Sequence, residues 1–193
     1  MSDSAARHRA RQTVINLSLA LAASVGLVVV LVLIVPRDDS NRIKPVDYAT
    51  ISQGAASDSK LDIFTITPPS VWWSNNATFN ENPVDTVKNF TAGFVGSETK
   101  YIGYTQAFDA NPTWLALNLA GLTPTGELKT EHFTWQIYKS IEEHEPAKTK
   151  DYLMVLDYSD QDYVLLYGVA ETAEFETFAQ AIDKKISGVM NLG

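Results

Sequence analysis

The sequence predicts an α+β protein: one N-terminal transmembrane helix, then a two-layer extracytoplasmic domain with an antiparallel sheet and helices on one face. Three observations predict it. Val14 to Val35 is a run of 22 residues without a charged side chain. Beyond it, apolar and aromatic runs come in pairs separated by short polar turns, the mark of hairpins. From Thr172 onward, Phe175, Phe178, Ala179, Ile182 and Ile186 recur at helical spacing, which gives one apolar stripe.

At about 1.5 Å of rise per residue the first run extends roughly 33 Å as a helix, enough for a hydrocarbon core of about 30 Å. Arg7, Arg9 and Arg11 precede it with only Asp3 as a nearby acid, so the positive-inside bias places the tail, residues 1–13, in the cytoplasm. The expected localisation is the cell membrane, single-pass, with everything past the span (14–35) outside. A cleaved signal peptide fits worse. Its apolar region is shorter, and Ala20-Leu21-Ala22 lies in mid-run while Leu33, Ile34 and Val35 are too bulky for a cleavage site. Within the span, Ser18, Ala22 and Gly26 recur every fourth residue and form a candidate helix-packing face, because small side chains let a second helix approach closely.

Of 15 basic and 23 acidic residues, the tail holds Arg7, Arg9, Arg11 and Asp3; the remainder carries 12 and 22, a charge of −10. Such a balance argues against nucleic acid, which needs clustered Lys and Arg. The chain has no cysteine, which excludes disulfides and thiol-linked lipid. Residues 36–60, rich in Ser, Asp, Asn and Gln, read as a stalk whose one adhesive point is Val46-Asp47-Tyr48. Residues 61–193 are a normal length for one domain with one core.

Within that domain, Asp62 to Thr67 alternates and meets Pro68-Pro69, a strand with a hard stop. Val71-Trp72-Trp73 restarts an extended segment to Phe79, and Asn80 to Asp85 is a turn. Asn89–Val95 and Lys100–Ala107 pair as a hairpin across Gly96–Thr99. Asn111 caps a short helix with Pro112 in its first turn, ending at Gly121. Thr130 to Tyr138 alternates, with His132, Thr134, Gln136 and Tyr138 on one face and Phe133, Trp135 and Ile137 on the other. Tyr152–Leu156 and Tyr163–Val169 form a central hairpin, and Thr172 caps the last helix.

Chemistry is sparse. The outer domain offers two histidines, no thiol and no Gly-x-Ser-x-Gly elbow. Glu142-Glu143-His144-Glu145 holds metal-ligand types but no second cluster at a zinc spacing, and Asp157-x-x-Asp160-x-Asp162 lacks the glycine and distal glutamate of a calcium loop. No catalytic residue, metal or cofactor is therefore expected. What remains is aromatic side chains, from which Trp72, Trp73 and Trp114 are candidate surface contacts.

The Arg-rich start, span, stalk, Pro-rich approach to Trp72, Gly93-Phe94-Val95, Tyr101 to Gln106, Phe133 to Tyr138, and Gly168-Val169-Ala170 before a helix with Phe175 and Ala179 resemble a known pattern. It is that of the actinobacterial membrane-anchored family catalogued as domain of unknown function 4245. The resemblance covers nearly the whole chain. It implies an actinobacterial cell surface and no particular activity. This chain departs from the pattern at Val71-Trp72-Trp73, where a Pro-Gly-Trp-like turn is more typical.

The expected role is a non-catalytic accessory subunit whose span packs against another integral membrane protein, one instance being a respiratory assembly such as a cytochrome bc/oxidase supercomplex. An alternative is an extracytoplasmic binding module for a cell-envelope ligand; a cell-surface enzyme is a third.

Overall fold

The computed structural model of the chain describes residues 3–34, 44–97, 99–142 and 144–191, with side chains from residue 11 in the first stretch, to residue 31. Two compact units divide it, Met1–Arg42 and Ile43–Gly193.

The first unit is one helix, α1 (Asp3–Ile34). It starts well before the uncharged run, because Ala and Arg in the tail are themselves good helix formers. Its segment Arg11–Leu31 is long and apolar enough to cross a membrane, and none of it is buried. Val35, the last residue of the expected span, and residues 36–43, the first part of the expected stalk, lie outside the described residues.

The rest of that stalk is not a spacer. Tyr48–Ser59 is a helix, α2, capped by Asp47, whose Oδ1 accepts from the Thr50 amide at 3.1 Å. Its Tyr48 and Ser52 are buried. Seven antiparallel strands follow: β1 (Trp73–Asn80), β2 (Asn89–Val95), β3 (Tyr101–Ala107), β4 (Leu122–Lys129), β5 (Thr134–Ser140), β6 (Tyr152–Ser159) and β7 (Asp162–Val169). The remaining helices are α3 (Pro112–Asn118) and α4 (Thr172–Met190). The sheet order is β1-β2-β3-β7-β6-β5-β4. Two meanders, β1 to β3 and β4 to β7, thus meet where β3 pairs with β7 in the middle.

One sheet face carries Phe90, Phe94, Ile102, Tyr104, Met154, Leu156, Val164 and Leu166, and α4 lays Phe175, Phe178, Ala179, Ile182 and Ile186 over them. Each large side chain so buried contributes about 1.5–3 kcal/mol. The α4 N-cap is Glu171, one residue before the expected Thr172: its amide donates to Glu174 Oε2 at 2.9 Å, and Lys100 Nζ clasps both carboxylates at 3.0 and 3.2 Å. Helix α2 packs on this face too, with Tyr48 edge-on to Phe94 at 5.1 Å. Helix α3 is the exception to helices on one face: Trp114 packs on the opposite side with Leu153, Val155 and Leu165.

Two strand assignments also change. Residues 62–67 are not a strand. They form an extended strap lying between α2 and the sheet, with Ile63, Phe64 and Ile66 buried. Side chains replace the missing ladder. The Phe64 amide donates to Gln106 Oε1 at 2.9 Å, Gln106 Nε2 donates to the Asp62 carbonyl at 2.7 Å, and the Tyr48 hydroxyl donates to the Phe64 carbonyl at 3.0 Å while accepting from the Ile66 amide at 3.2 Å. Conversely, Leu122–Lys129 is a strand that its Pro124 and Gly126 conceal; it lies at the sheet edge and carries a bulge between those residues, where proline and glycine are tolerated.

Candidate functional site

The small-residue face of α1 keeps Ser18, Ala22 and Gly26 exposed, and a Cβ on Gly26 would meet nothing within 4 Å. That is the geometry a second helix needs for close approach.

The three tryptophans come apart. Trp72 and Trp114 are each only 6 % exposed. Trp72 stands edge-on to Phe178 at 5.3 Å and lies against Gly96, after a turn closed by its own amide on the Pro69 carbonyl at 2.8 Å. This turn sits where the chain departs from the Pro-Gly-Trp pattern. Trp114 anchors α3 to the sheet, its amide accepted by Asn111 Oδ1 at 2.9 Å. Both are core residues, and neither offers a surface contact. Burial of their large apolar area outweighs any external use. Trp73 is half-buried and lines a cleft of about 800 Å³ between α2, the strap, β1 and the end of α4. Tyr48, Phe94, Lys185 and Val189 line it as well.

The two histidines of this unit are each held by a carboxylate. His132 is not on β5 but in the turn before it. Its amide donates to Asp183 Oδ2 at 2.9 Å and its Nδ1 lies 2.7 Å from Oδ1, so one carboxylate of α4 clasps the β4–β5 turn. Asp183 is 1 % exposed. Burial pushes its carboxyl up, but hydrogen bonds from Thr130 and His132 outweigh that and hold it below the ordinary range. Nothing in the sequence singled it out, since one acid inside an apolar helical stripe has no local signature. A cavity of about 270 Å³ adjoins it, lined by Lys129, Thr130, Glu131, Gln180 and Lys184. Among the described residues no serine or threonine hydroxyl is hydrogen-bonded to the ring, and the pair clasps the turn to the helix.

His144 has Nδ1 2.8 Å from Asp151 Oδ1 and Nε2 3.6 Å from Glu142 Oε2. Amide donation from Lys148 is the main cause that holds Asp151 below the ordinary carboxylate range. Among the described residues no three His, Cys, Asp or Glu side chains converge as a metal site; Glu143 lies outside them. Asp157, Asp160 and Asp162 flank the β6–β7 turn, where burial and the neighbouring acids raise the Asp157 carboxyl.

Buried polar chemistry concentrates instead at Gln106, 0 % exposed, where Tyr104 donates to Oε1 at 2.9 Å and Nε2 donates to the Tyr158 hydroxyl at 3.0 Å. Burial pushes the Tyr48 hydroxyl up to about 12 and raises those of Tyr104 and Tyr158 above the ordinary tyrosine value as well. All three stay protonated at neutral pH, Tyr48 and Tyr104 as donors and Tyr158 as an acceptor from Gln106, which suits a fastening.

In comparisons with known proteins, residues 9–182 match a family described as "Protein of unknown function (DUF4245)". No curated protein and no solved structure matches the chain.

Proposed function

The chain belongs to the DUF4245 family, and from that premise we propose that it is a non-catalytic accessory subunit of a larger membrane protein assembly, anchored once with its C-terminal unit outside the cytoplasm. The observation that carries the reading is α1: an apolar segment, Arg11–Leu31, none of it buried, with small residues along one face. An assembly of cytochrome bc and oxidase type, which recruits small single-span proteins, is one concrete partner. Pull-down in gentle detergent with a tag after Gly193 tests the reading. Co-purification of a membrane protein, lost in Ala22→Leu and Gly26→Leu, is expected; recovery of the chain alone as a monomer overturns it. A second reading, a binding module for a cell-envelope ligand, is favoured by the cleft of about 800 Å³ beside Trp73. Enzyme activity has less support: among the described residues, neither the His132 ring nor the His144 ring is hydrogen-bonded to a serine or threonine hydroxyl.

A further inference from the structure

Helix α3 covers only part of the sheet face it sits on. Its cluster draws on Ala107 at the end of β3 and on β7, β6 and β5, and no residue of β1 or β2 belongs to it. Over β1 and β2 that face lies open, with Asn76 and Thr78 exposed and Thr91 half-buried, while Gly103 and Thr105 on β3 are buried.

The residues there form two registered rows. Thr78, Thr91 and Thr105 stand side by side on the three strands, and Asn76, Gly93 and Gly103 form the row beside them, continuing to Tyr167 on β7. Paired glycines inside neighbouring strands weaken a sheet and mark a place where something approaches the backbone closely. Here the approach is visible. A Cβ on Gly103 would collide with the Tyr167 ring, and one on Gly93 would collide with Asn75 Oδ1 and lie 2.8 Å from the Tyr101 hydroxyl. The glycines form a floor, and two tyrosines and an amide converge over it. Asn75 Oδ1, at the β1 bulge, is buried and makes no hydrogen bond. An unmet polar atom of this kind costs about 1–3 kcal/mol.

The face is neutral. Designed surfaces are about a quarter to a third charged, and this chain carries −8 overall. Yet neither row holds an acidic or basic side chain. Phosphate-bearing and other anionic ligands find no cation here, and basic peptides find no acid. Amide and hydroxyl groups both donate and accept, and tyrosine rings present apolar faces with a polar tip. Charge and chemistry together match a polyhydroxylated chain whose rings have apolar faces and which bears no charge.

We propose that the β1–β3 face is a binding platform for an uncharged glycan. Thr78, Thr91 and Asn76 meet its hydroxyls, Asn75 gains its missing partner, and Tyr101 and Tyr167 stack against its sugar rings. This surface is separate from the α1 face and from the cleft beside Trp73, and it stands whether or not the chain joins a larger assembly.

Affinity electrophoresis of the full chain in mild detergent tests it, with gels containing neutral arabinogalactan, mannan or α-glucan and, as the anionic probe, polygalacturonate. At least one neutral polysaccharide is expected to retard the protein and polygalacturonate is not. Thr78→Lys, at an exposed position that leaves the core untouched, and Thr91→Lys should each weaken retardation about tenfold, while Leu117→Lys on the exposed side of α3 should leave it unchanged. The proposal is overturned by no retardation in any neutral gel, by retardation in polygalacturonate alone, by Thr78→Lys binding as the parent does, or by Leu117→Lys weakening it equally.

Discussion

At the scale of single residues, the buried polar groups divide into those that are met and those that are not, and substitutions should separate them. Gln106 satisfies four partners at once: the Phe64 amide, the Asp62 carbonyl and the hydroxyls of Tyr104 and Tyr158. Gln106→Ala strands all of them, and a loss of at least about 3 kcal/mol is expected, read as a fall of roughly 6–12 °C in thermal midpoint by tryptophan fluorescence. Tyr152 is the opposite case. Its hydroxyl is buried without a partner while its ring packs on Phe175 at 4.6 Å. Tyr152→Phe keeps the ring and removes the stranded group, so its midpoint should match the parent or exceed it; a drop beyond about 1 kcal/mol would show that the hydroxyl is bonded after all. Asp183 gives a pH dependence of known sign. Its folded carboxyl lies below the unfolded value of about 3.9, so its stabilisation is complete above that pH and disappears as pH falls through the folded value. Asp183→Asn should be less stable than the parent at pH 7, and the gap should close in acid. A gap independent of pH would mean that the charge contributes nothing.

At the scale of elements, what the sequence made legible follows from periodicity. The hairpin β2–β3, strands β6 and β7, the Asn111 cap of α3 and the apolar stripe of α4 all lie where their spacing puts them. Phe178 is the centre of that stripe, touching Trp72 and Phe94 within 5.3 Å. Phe178→Ala should cost about 3–5 kcal/mol, measured by urea unfolding in detergent, against no measurable change for Leu117→Ala on the exposed side of α3. The elements that periodicity missed have identifiable causes. Strand β4 has no inward-facing run to read, being almost wholly exposed at an edge. The strap alternates like a strand, yet its backbone is held by side chains distant in sequence, and α2 hides in a polar segment because Tyr48 is its one large apolar side chain in the core, joined by the small Ser52, Ala55 and Ala56. The same limit applies to the candidate sites: residue type marked Trp72 and Trp114, but burial is decided by what surrounds them. Asp183 became visible only once α4 met the β4–β5 turn.

At the scale of the whole molecule, the absence of cysteine makes the proposed topology directly testable, since any introduced thiol is the only one present. Val84→Cys, in a fully exposed turn of the second unit, should react with a membrane-impermeant maleimide on intact cells, and Ser4→Cys in the tail only after permeabilisation. The reverse pattern would invert the orientation. The uncharged rows on β1 and β2 further predict weak dependence of any glycan binding on salt, because neutral hydrogen bonds are not screened as ion pairs are. The strap has one more consequence, a mechanical one. Tension applied from the N-terminal end enters the second unit at α2, and the first fastenings it loads are the Val46 amide on the Ser74 carbonyl, then the Tyr48 hydroxyl and Gln106. Tyr48 is wedged among Phe90 and Phe94, so the strap cannot peel away one bond at a time as a terminal strand does. A pull on this end has to extract an aromatic plug from the core, so the second unit resists load applied at its N-terminal edge.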